Sequence, residues 1–295
     1  MQNKIAFLFP GQGTLPSSLP VDGRRGERLL ALTEQAGIPI AGMLKNGDRD
    51  RLVRTENAQP AIFIDSLSKE EALRSRGIVP AAVAGHSLGE YAALVSSGVI
   101  PSAEDALAVV IDRGRLMGRV HGGGMAAILK LPLAEVEEIC DGIDGAVNVA
   151  NINGPTQIVI SGDLESLQAA MDACQDAGGR VIKLDVSGPF HTPLLAAAQA
   201  ALAPSIEQLE FLTANIPFVS SVSGRMESDP STIRSLLLTQ ITACVQWVSA
   251  VESLVKLGVD VAIEVGPGKV LTNMGRRITD KIEFVTFKEA IDGAI

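Results

Sequence analysis

The stretch that most limits how this chain can fold runs from Ala81 to Ser96. Ala81-Ala82-Val83-Ala84 is short and apolar, Gly85-His86-Ser87-Leu88-Gly89 follows, and Tyr91 to Ser96 is mostly small and apolar. That order predicts a strand, a sharp turn and a helix, which lifts a serine oxygen out of a sheet and sets it at a helix N-terminus. The glycines have a steric reason. So tight a turn strains the backbone, and a side chain at Gly85 or Gly89 would press on the neighbouring strand or helix. The helix start leaves free N–H groups, so the Leu88 amide can meet negative charge developing beside Ser87.

Composition narrows the function classes. The chain has 295 residues, 46% of them hydrophobic, enough to bury a large core. A formal charge of −9, one Trp and one Tyr argue against a nucleic-acid partner. No apolar run reaches about 18 residues, so no membrane partner is expected. Ile5 to Phe9 reads as a strand at once, without a signal-peptide pattern before it. Cys140, Cys174 and Cys244 lie far apart in apolar helical contexts. Together these features predict a cytoplasmic protein with reduced thiols and no metal site.

In chain order, the first strand runs into Pro10-Gly11-Gln12-Gly13, whose glycines expose backbone amides. Leu15 to Arg28 reads as a surface loop, Glu27 to Ala36 as a helix, and Gln59-Pro60-Ala61 as the start of a longer helix ending near Arg76. Ala103 to Val120 is a helix with acids in its first turn and Arg113, Arg115 and Arg119 towards its end. At Gly122-Gly123-Gly124 the texture changes. Strand Met125–Lys130, helix Leu133–Asp141, strands Ala146–Asn151 and Gln157–Ser161, helix Leu164–Ala177 and strand Val181–Val186 follow, the β-α-β-β-α-β order of a ferredoxin-like unit. The fold class is therefore α/β. A hydrolase-like large domain with a parallel sheet and the serine elbow takes residues 1–122 and 190–295, and a ferredoxin-like small domain is inserted at 123–189. The triple glycine and Ser187-Gly188-Pro189 form its hinges. Beyond them, Pro217 to Ser223 reads as a strand, Thr232 to Lys256 as one or two helices, Val261 to Val265 as a strand and Val270 to Ile278 as a helix.

A serine hydroxyl is a weak nucleophile at neutral pH and needs a base. The chain has three histidines. His86, next to Ser87, is expected to point to the other side of the turn and pack or hydrogen-bond locally. His121 beside the triple glycine reads as a solvated loop residue. His191 lies where the inserted unit hands back to the large domain, in a cleft position, and is the candidate base by elimination and place. Asp185, Asp260 and Glu264 stay open as acids that could orient its ring.

Six motifs occur together and in order: Phe9-Pro10-Gly11-Gln12-Gly13, Gly85-His86-Ser87-Leu88-Gly89-Glu90-Tyr91, Arg113-Gly114, Pro189-Phe190-His191, Val245-Gln246-Trp247 and Glu264-Val265-Gly266-Pro267-Gly268. In this the chain resembles the malonyl-CoA:acyl carrier protein transacylases along nearly its whole length. The resemblance implies ping-pong acyl transfer. Ser87 attacks a malonyl thioester with His191 as general base, and the phosphopantetheine thiol of an acyl carrier protein then takes the acyl group. It implies malonyl-CoA as substrate, with no bound cofactor and no metal. The Gln12 and Leu88 amides become the oxyanion hole, and the Gln246 main-chain carbonyl orients the histidine. Arg113 pairs with the malonyl carboxylate, Gln59 lines the pocket, and Phe190 narrows the space beside the α-carbon. Arg115, two positions on, faces another side of the helix and is read as a solvated charge.

Fatty-acid synthesis is the implied pathway. A trans-acting polyketide acyltransferase, the malonyl-transfer subunit of a malonate decarboxylase and a serine esterase are the alternatives. An acidic carrier protein needs a basic patch, for which Arg276 and Arg277, with Lys269 and Lys281 nearby, are the candidates. One segment departs from the family's pattern. Thr14-Leu15-Pro16-Ser17-Ser18-Leu19-Pro20 replaces the usual Ser-Gln and Gly-Met continuation, which bears on the entry path of the thioester arm.

Overall fold

Alternation in the first strand implies a sheet covered on both faces. In Ile5–Phe9 (β1), Phe7 and Phe9 enter one apolar cluster while Ala6 and Leu8 enter another, as successive side chains of a strand must. The structure, a computed structural model in which residues 3–19 and 24–293 are described, builds a mixed α/β molecule around that strand.

After β1 come helices Arg24–Gln35 (α1), Ile40–Lys45 (α2), Arg49–Leu52 (α3) and Thr55–Ser75 (α4), strand Ala82–Gly85 (β2), and helices Gly89–Ser96 (α5) and Ala103–Gly118 (α6). Next are Gly123–Leu129 (β3), Leu133–Asp141 (α7), Val147–Gly154 (β4), Gln157–Asp163 (β5), Leu164–Asp176 (α8) and Arg180–Lys183 (β6). The chain closes with Ala196–Glu207 (α9), Phe218–Val219 (β7), Met226–Glu227 (β8), Pro230–Thr239 (α10), Trp247–Lys256 (α11), Val261–Glu264 (β9), Val270–Ile278 (α12), Glu283–Thr286 (β10) and Phe287–Ile291 (α13).

Six strands form one sheet in the order β10-β9-β1-β2-β7-β8, parallel except for the edge strand β8. From β1 the sheet grows to β2 on one side and to β9 on the other. The loops that follow these three strands therefore meet in one crevice at their carboxyl ends, where open α/β sheets hold ligands. The other four strands make an antiparallel sheet, β4-β5-β3-β6, with Ile128, Val136, Ile160 and Leu167 in its core. A Cβ on Gly123 would fall 2.6 Å from Pro189 Cγ, so the chain leaves for this sheet and returns from it at one place.

Several boundaries differ from the sequence expectation. The long helix begins at Thr55 rather than Gln59, so Pro60 lies inside α4. Nearly every residue from Thr55 to Ser68 is buried, and that packing outweighs the hydrogen bond a proline cannot make. The strand expected at Pro217–Ser223 shrinks to two residues because Ser220 and Ser221 turn to a buried carboxylate. The loop expected from Leu15 to Arg28 is helical from Arg24, and its residues 20–23 lie outside the described residues. Helices α2 and α3 and strand β10 are short and carried no strong periodic signal.

Candidate active site

Sterics at the elbow are severe. A Cβ on Gly89 would fall 1.9 Å from the Phe9 carbonyl oxygen, and one on Gly85 would fall 2.2 Å from the Gly89 backbone. Between them Ser87 is held at φ +51°, in the left-handed region. Such an angle costs on the order of 1–3 kcal/mol and persists only where its surroundings impose it. The result is a serine oxygen standing clear of the sheet at the start of α5.

His191 is also left-handed, at φ +58°. Its amide donates to the Ile241 carbonyl at 3.1 Å, and its own carbonyl accepts from Asn148 Nδ2 at 3.0 Å. Nδ1 faces the carbonyl oxygens of Gln240 at 3.1 Å and Ala243 at 2.9 Å. Two acceptors there fix the proton on Nδ1, so Nε2 is left to accept from Ser87 Oγ, 2.8 Å away. Burial, followed by the charge of Arg113, pushes His191 down to about 3, and the ring is neutral.

The arginine arrives through close helix packing. A Cβ on Gly114 would lie 3.1 Å from Glu56 Cα, so α6 rides tightly on α4. That contact brings Arg113, 1% exposed, to the serine. Nη1 donates to Gln59 Oε1 at 2.8 Å, and Nη2 donates to Ser87 Oγ at 3.1 Å and Gln240 Oε1 at 3.2 Å. The Tyr91 ring lies 5.8 Å from the guanidinium carbon. Among the described residues no carboxylate pairs with Arg113, and its Nε–H is buried without a partner. A buried cation without a counter-ion is costly, so the site is set to accept an anion.

A cleft of about 360 Å³ opens over these groups, lined among others by Gln12, Ser87, Asn153, Phe190 and His191. The Gln12 and Leu88 amides donate to no other described group. The Gln12 side chain donates to Thr55 Oγ1 at 3.1 Å, and that hydroxyl in turn meets Ser187 Oγ at 2.7 Å. No thiol rivals the serine, since burial pushes Cys140 up to about 12, Cys174 to about 11 and Cys244 to about 12. Among the described residues no cluster of His, Cys, Asp and Glu could hold a metal.

Some expected roles move. Gln246 does not orient His191: its carbonyl accepts from the Ala250 amide inside α11, and the ring meets Gln240 and Ala243 instead. Gln59 sits within α4, not at its start, with its amide oxygen committed to Arg113. Arg115 is not a free surface charge, because its Nη2 donates to the Ala36 carbonyl at the end of α1. His86 reaches past its own turn to Asn153 Oδ1 at 2.8 Å and stands edge-on to Trp247. Among the described residues no acid meets His191. Asp260 accepts from the Lys4 amide, Glu264 from Thr272, and Asp185 lies exposed on the cleft rim. Arg276 donates to the Phe284 carbonyl, away from the cleft, and Arg277 donates to Gln157, which lines it; both residues are exposed. Thr14 packs against Gly268, while Pro20 lies outside the described residues.

The residues that sequence reasoning missed are Gln240, Glu90 and Asn153. Gln240 touches every partner: its carbonyl faces His191, its Oε1 faces Arg113, and its Nε2 donates to the Ser87 carbonyl at 2.9 Å and to Glu90. Glu90 is buried and takes further hydrogen bonds from Ser220 Oγ, Ser221 N and Ser221 Oγ. Burial pushes its carboxyl above the usual range. An acid opening an otherwise apolar helix was the signal available for Glu90, and nothing comparable marks Gln240.

Residues 25–290 match the family model described as acyl transferase domain. The malonyl CoA-acyl carrier protein transacylase of Bacillus subtilis (strain 168) is 33% identical over 97% of this chain and 94% of its own length. The solved malonyl CoA-acyl carrier protein transacylase of Coxiella burnetii superposes with a TM-score of 0.93 at 30% identity, covering 100% of this chain and 98% of that one. A malonyl-transacylase solved in complex with its type II PKS acyl-carrier protein gives 0.91 at 31% identity, over 98% and 99% of the two chains. With the domain matched almost end to end and a relative a third identical over nearly its whole length, the chain belongs to the acyl transferase family, among the malonyl CoA-acyl carrier protein transacylases.

Proposed function

We propose that this chain moves a malonyl group from CoA to the phosphopantetheine thiol of an acyl carrier protein through a malonyl-serine intermediate, for fatty-acid synthesis. Ser87 Oγ attacks the thioester carbonyl as its proton passes to His191 Nε2. The Gln12 and Leu88 amides receive the oxyanion, and His191 returns the proton to the departing CoA sulfur. The carrier thiol then attacks the serine ester by the same steps in reverse. The observation that carries this reading is Arg113, a buried guanidinium without a carboxylate, 3.1 Å from the serine oxygen. An acyl group with a free carboxylate supplies the missing partner, and the fork of a guanidinium suits it. Phe190, buried on the cleft wall, leaves little room beside the α-carbon.

The architecture reads as a hydrolase-like large domain, residues 1–122 and 190–295, with a ferredoxin-like domain inserted at 123–189. The antiparallel order β4-β5-β3-β6 and the contact of Gly123 with Pro189 support that division. A cytoplasmic setting suits the three free thiols.

Intact-mass analysis tests the reaction. Malonyl-CoA should add one malonyl group, and a phosphopantetheinylated carrier protein should remove it. Ser87→Ala should show no adduct while keeping its fold. Persistent labelling in that variant would sink the assignment, and discharge to water as fast as to the thiol would make the protein an esterase.

A further inference from the structure

The cleft continues beyond the groups that do the chemistry. Alternate residues of β3, Met125 and Ala127, line it, as do Val270 and Met274 on one face of α12. One more step of each period, two residues along the strand and three along the helix, reaches Leu129 and Arg277. Both line a second cavity of about 350 Å³. Gln157 belongs to both cavities and accepts from Arg277 Nη1 at 2.9 Å. The trough therefore follows α12 for about 10 Å and β3 for about 13 Å.

Its chemistry changes along the way. Around Ser87 the walls are mostly apolar or carry amides, among them Asn151, Asn153 and Val159, with Asp185 the one carboxylate, exposed on the rim. At the far end stand Lys130 and Arg277, both exposed, and the lining there holds no carboxylate. In a chain of net charge −9 that is a local exception. Lys130 is held at φ +75° with its amide donating to the Thr156 carbonyl at 3.1 Å. A non-glycine residue keeps that conformation only where its surroundings fix it, and such positions gather at ligand clamps.

We propose that Lys130 and Arg277 bind the phosphate at the far end of a pantetheine arm, the group shared by CoA and a phosphopantetheinylated carrier protein. The assignment rests on the transacylase reading above. It gives Arg277 to the arm rather than to the carrier's acidic surface, while Arg276 stays committed to the Phe284 carbonyl. The acyl end lies at Ser87, the amides of the arm pass Asn153 and Gln157, and the phosphate meets the two cations.

The test compares malonyl-CoA with malonyl-pantetheine, which lacks the phosphate, as donors for serine acylation. In the double variant Lys130→Gln, Arg277→Gln, the preference for malonyl-CoA in kcat/KM should fall about tenfold, carried by KM, and Arg277→Lys should retain part of it. The preference for a phosphopantetheinylated carrier over free pantetheine as acceptor should fall by a similar factor, since the phosphate is common to both. Equal loss with both donors, or no loss with either, overturns the site. Loss confined to CoA overturns the shared phosphate in favour of CoA's other phosphates. A wild-type protein acylated by neither thioester overturns the transacylase reading itself, a result distinct from an altered ratio.

Discussion

Two cations touch helix α4, the buried Arg113 and the part-buried Lys69, and they are treated in opposite ways. Lys69 donates to Asp65 Oδ2 at 2.6 Å and to the Gly266 carbonyl at 2.8 Å, with the Phe287 ring 5.5 Å off. Its charge is answered from within the chain. Arg113 reaches the same helix through Gln59 but meets only amide and hydroxyl oxygens. Glu90 lies on the far side of Gln240, so even the nearest acid faces it through an amide. A structural charge is closed by its own carboxylate, whereas a recognising charge is left open for the ligand's.

The largest effect should follow loss of the base. His191→Ala should lower transfer by about 10²- to 10⁴-fold while the oxyanion amides remain, as measured by single-turnover acylation. Near-normal turnover would move the base elsewhere.

Stability should separate the two cations. Lys69→Ala leaves Asp65 buried and unanswered and should cost about 3–5 kcal/mol in urea unfolding at pH 8. Arg113→Met, which removes an unpaired charge, should cost far less or stabilise. Burial holds Asp65 at about 6, against the pull of Lys69. With the lysine gone it should rise further. The variant's folded carboxyl then takes up a proton above pH 6, where the parent's is still ionised, so the Lys69→Ala deficit should shrink as pH falls from 8 to 6 and level off below. A deficit independent of pH would contradict the buried-carboxylate explanation.

A smaller effect concerns the acid limb of the rate profile. Because His191 is pushed down to about 3 by burial and by Arg113, kcat/KM should hold level from pH 8 to below 6, where an ordinary histidine would already be half protonated. In Arg113→Ala, assayed with acetyl-CoA, the limb should move to higher pH. The smallest change is expected at Arg115→Ala, which loses one hydrogen bond to the Ala36 carbonyl and should cost about 0.5–1.5 kcal/mol in stability. Malonyl-to-acetyl preference should stay as it is.

What the sequence made legible followed from local rules. Gly85 and Gly89 are required by contacts of 2.2 and 1.9 Å, and a strand-turn-helix pattern announces them without any tertiary knowledge. The β-α-β-β-α-β order was readable for the same reason, since each element carries its own period. Arg113 was legible because the resemblance pointed to it. The orienting carbonyls were not. Any residue offers a carbonyl, so only the path of the chain after α10 decides that Gln240 and Ala243, rather than Gln246, face the ring. Proline placement misled similarly: Pro60 looks like a helix start, but the burial of α4 on several sides extends the helix five residues upstream of it, to Thr55.

The open cation is tested most directly by acylation of Arg113→Ala with malonyl-CoA and acetyl-CoA in parallel. Truncating one partner of a buried charged pair costs about 2–5 kcal/mol, so malonyl transfer should fall roughly 30-fold to several thousand-fold. Acetyl transfer, with no carboxylate to hold, should stay level or improve, and the preference should invert at this one position. A fall of both by the same factor would contradict carboxylate recognition and make Arg113 a structural charge like Lys69.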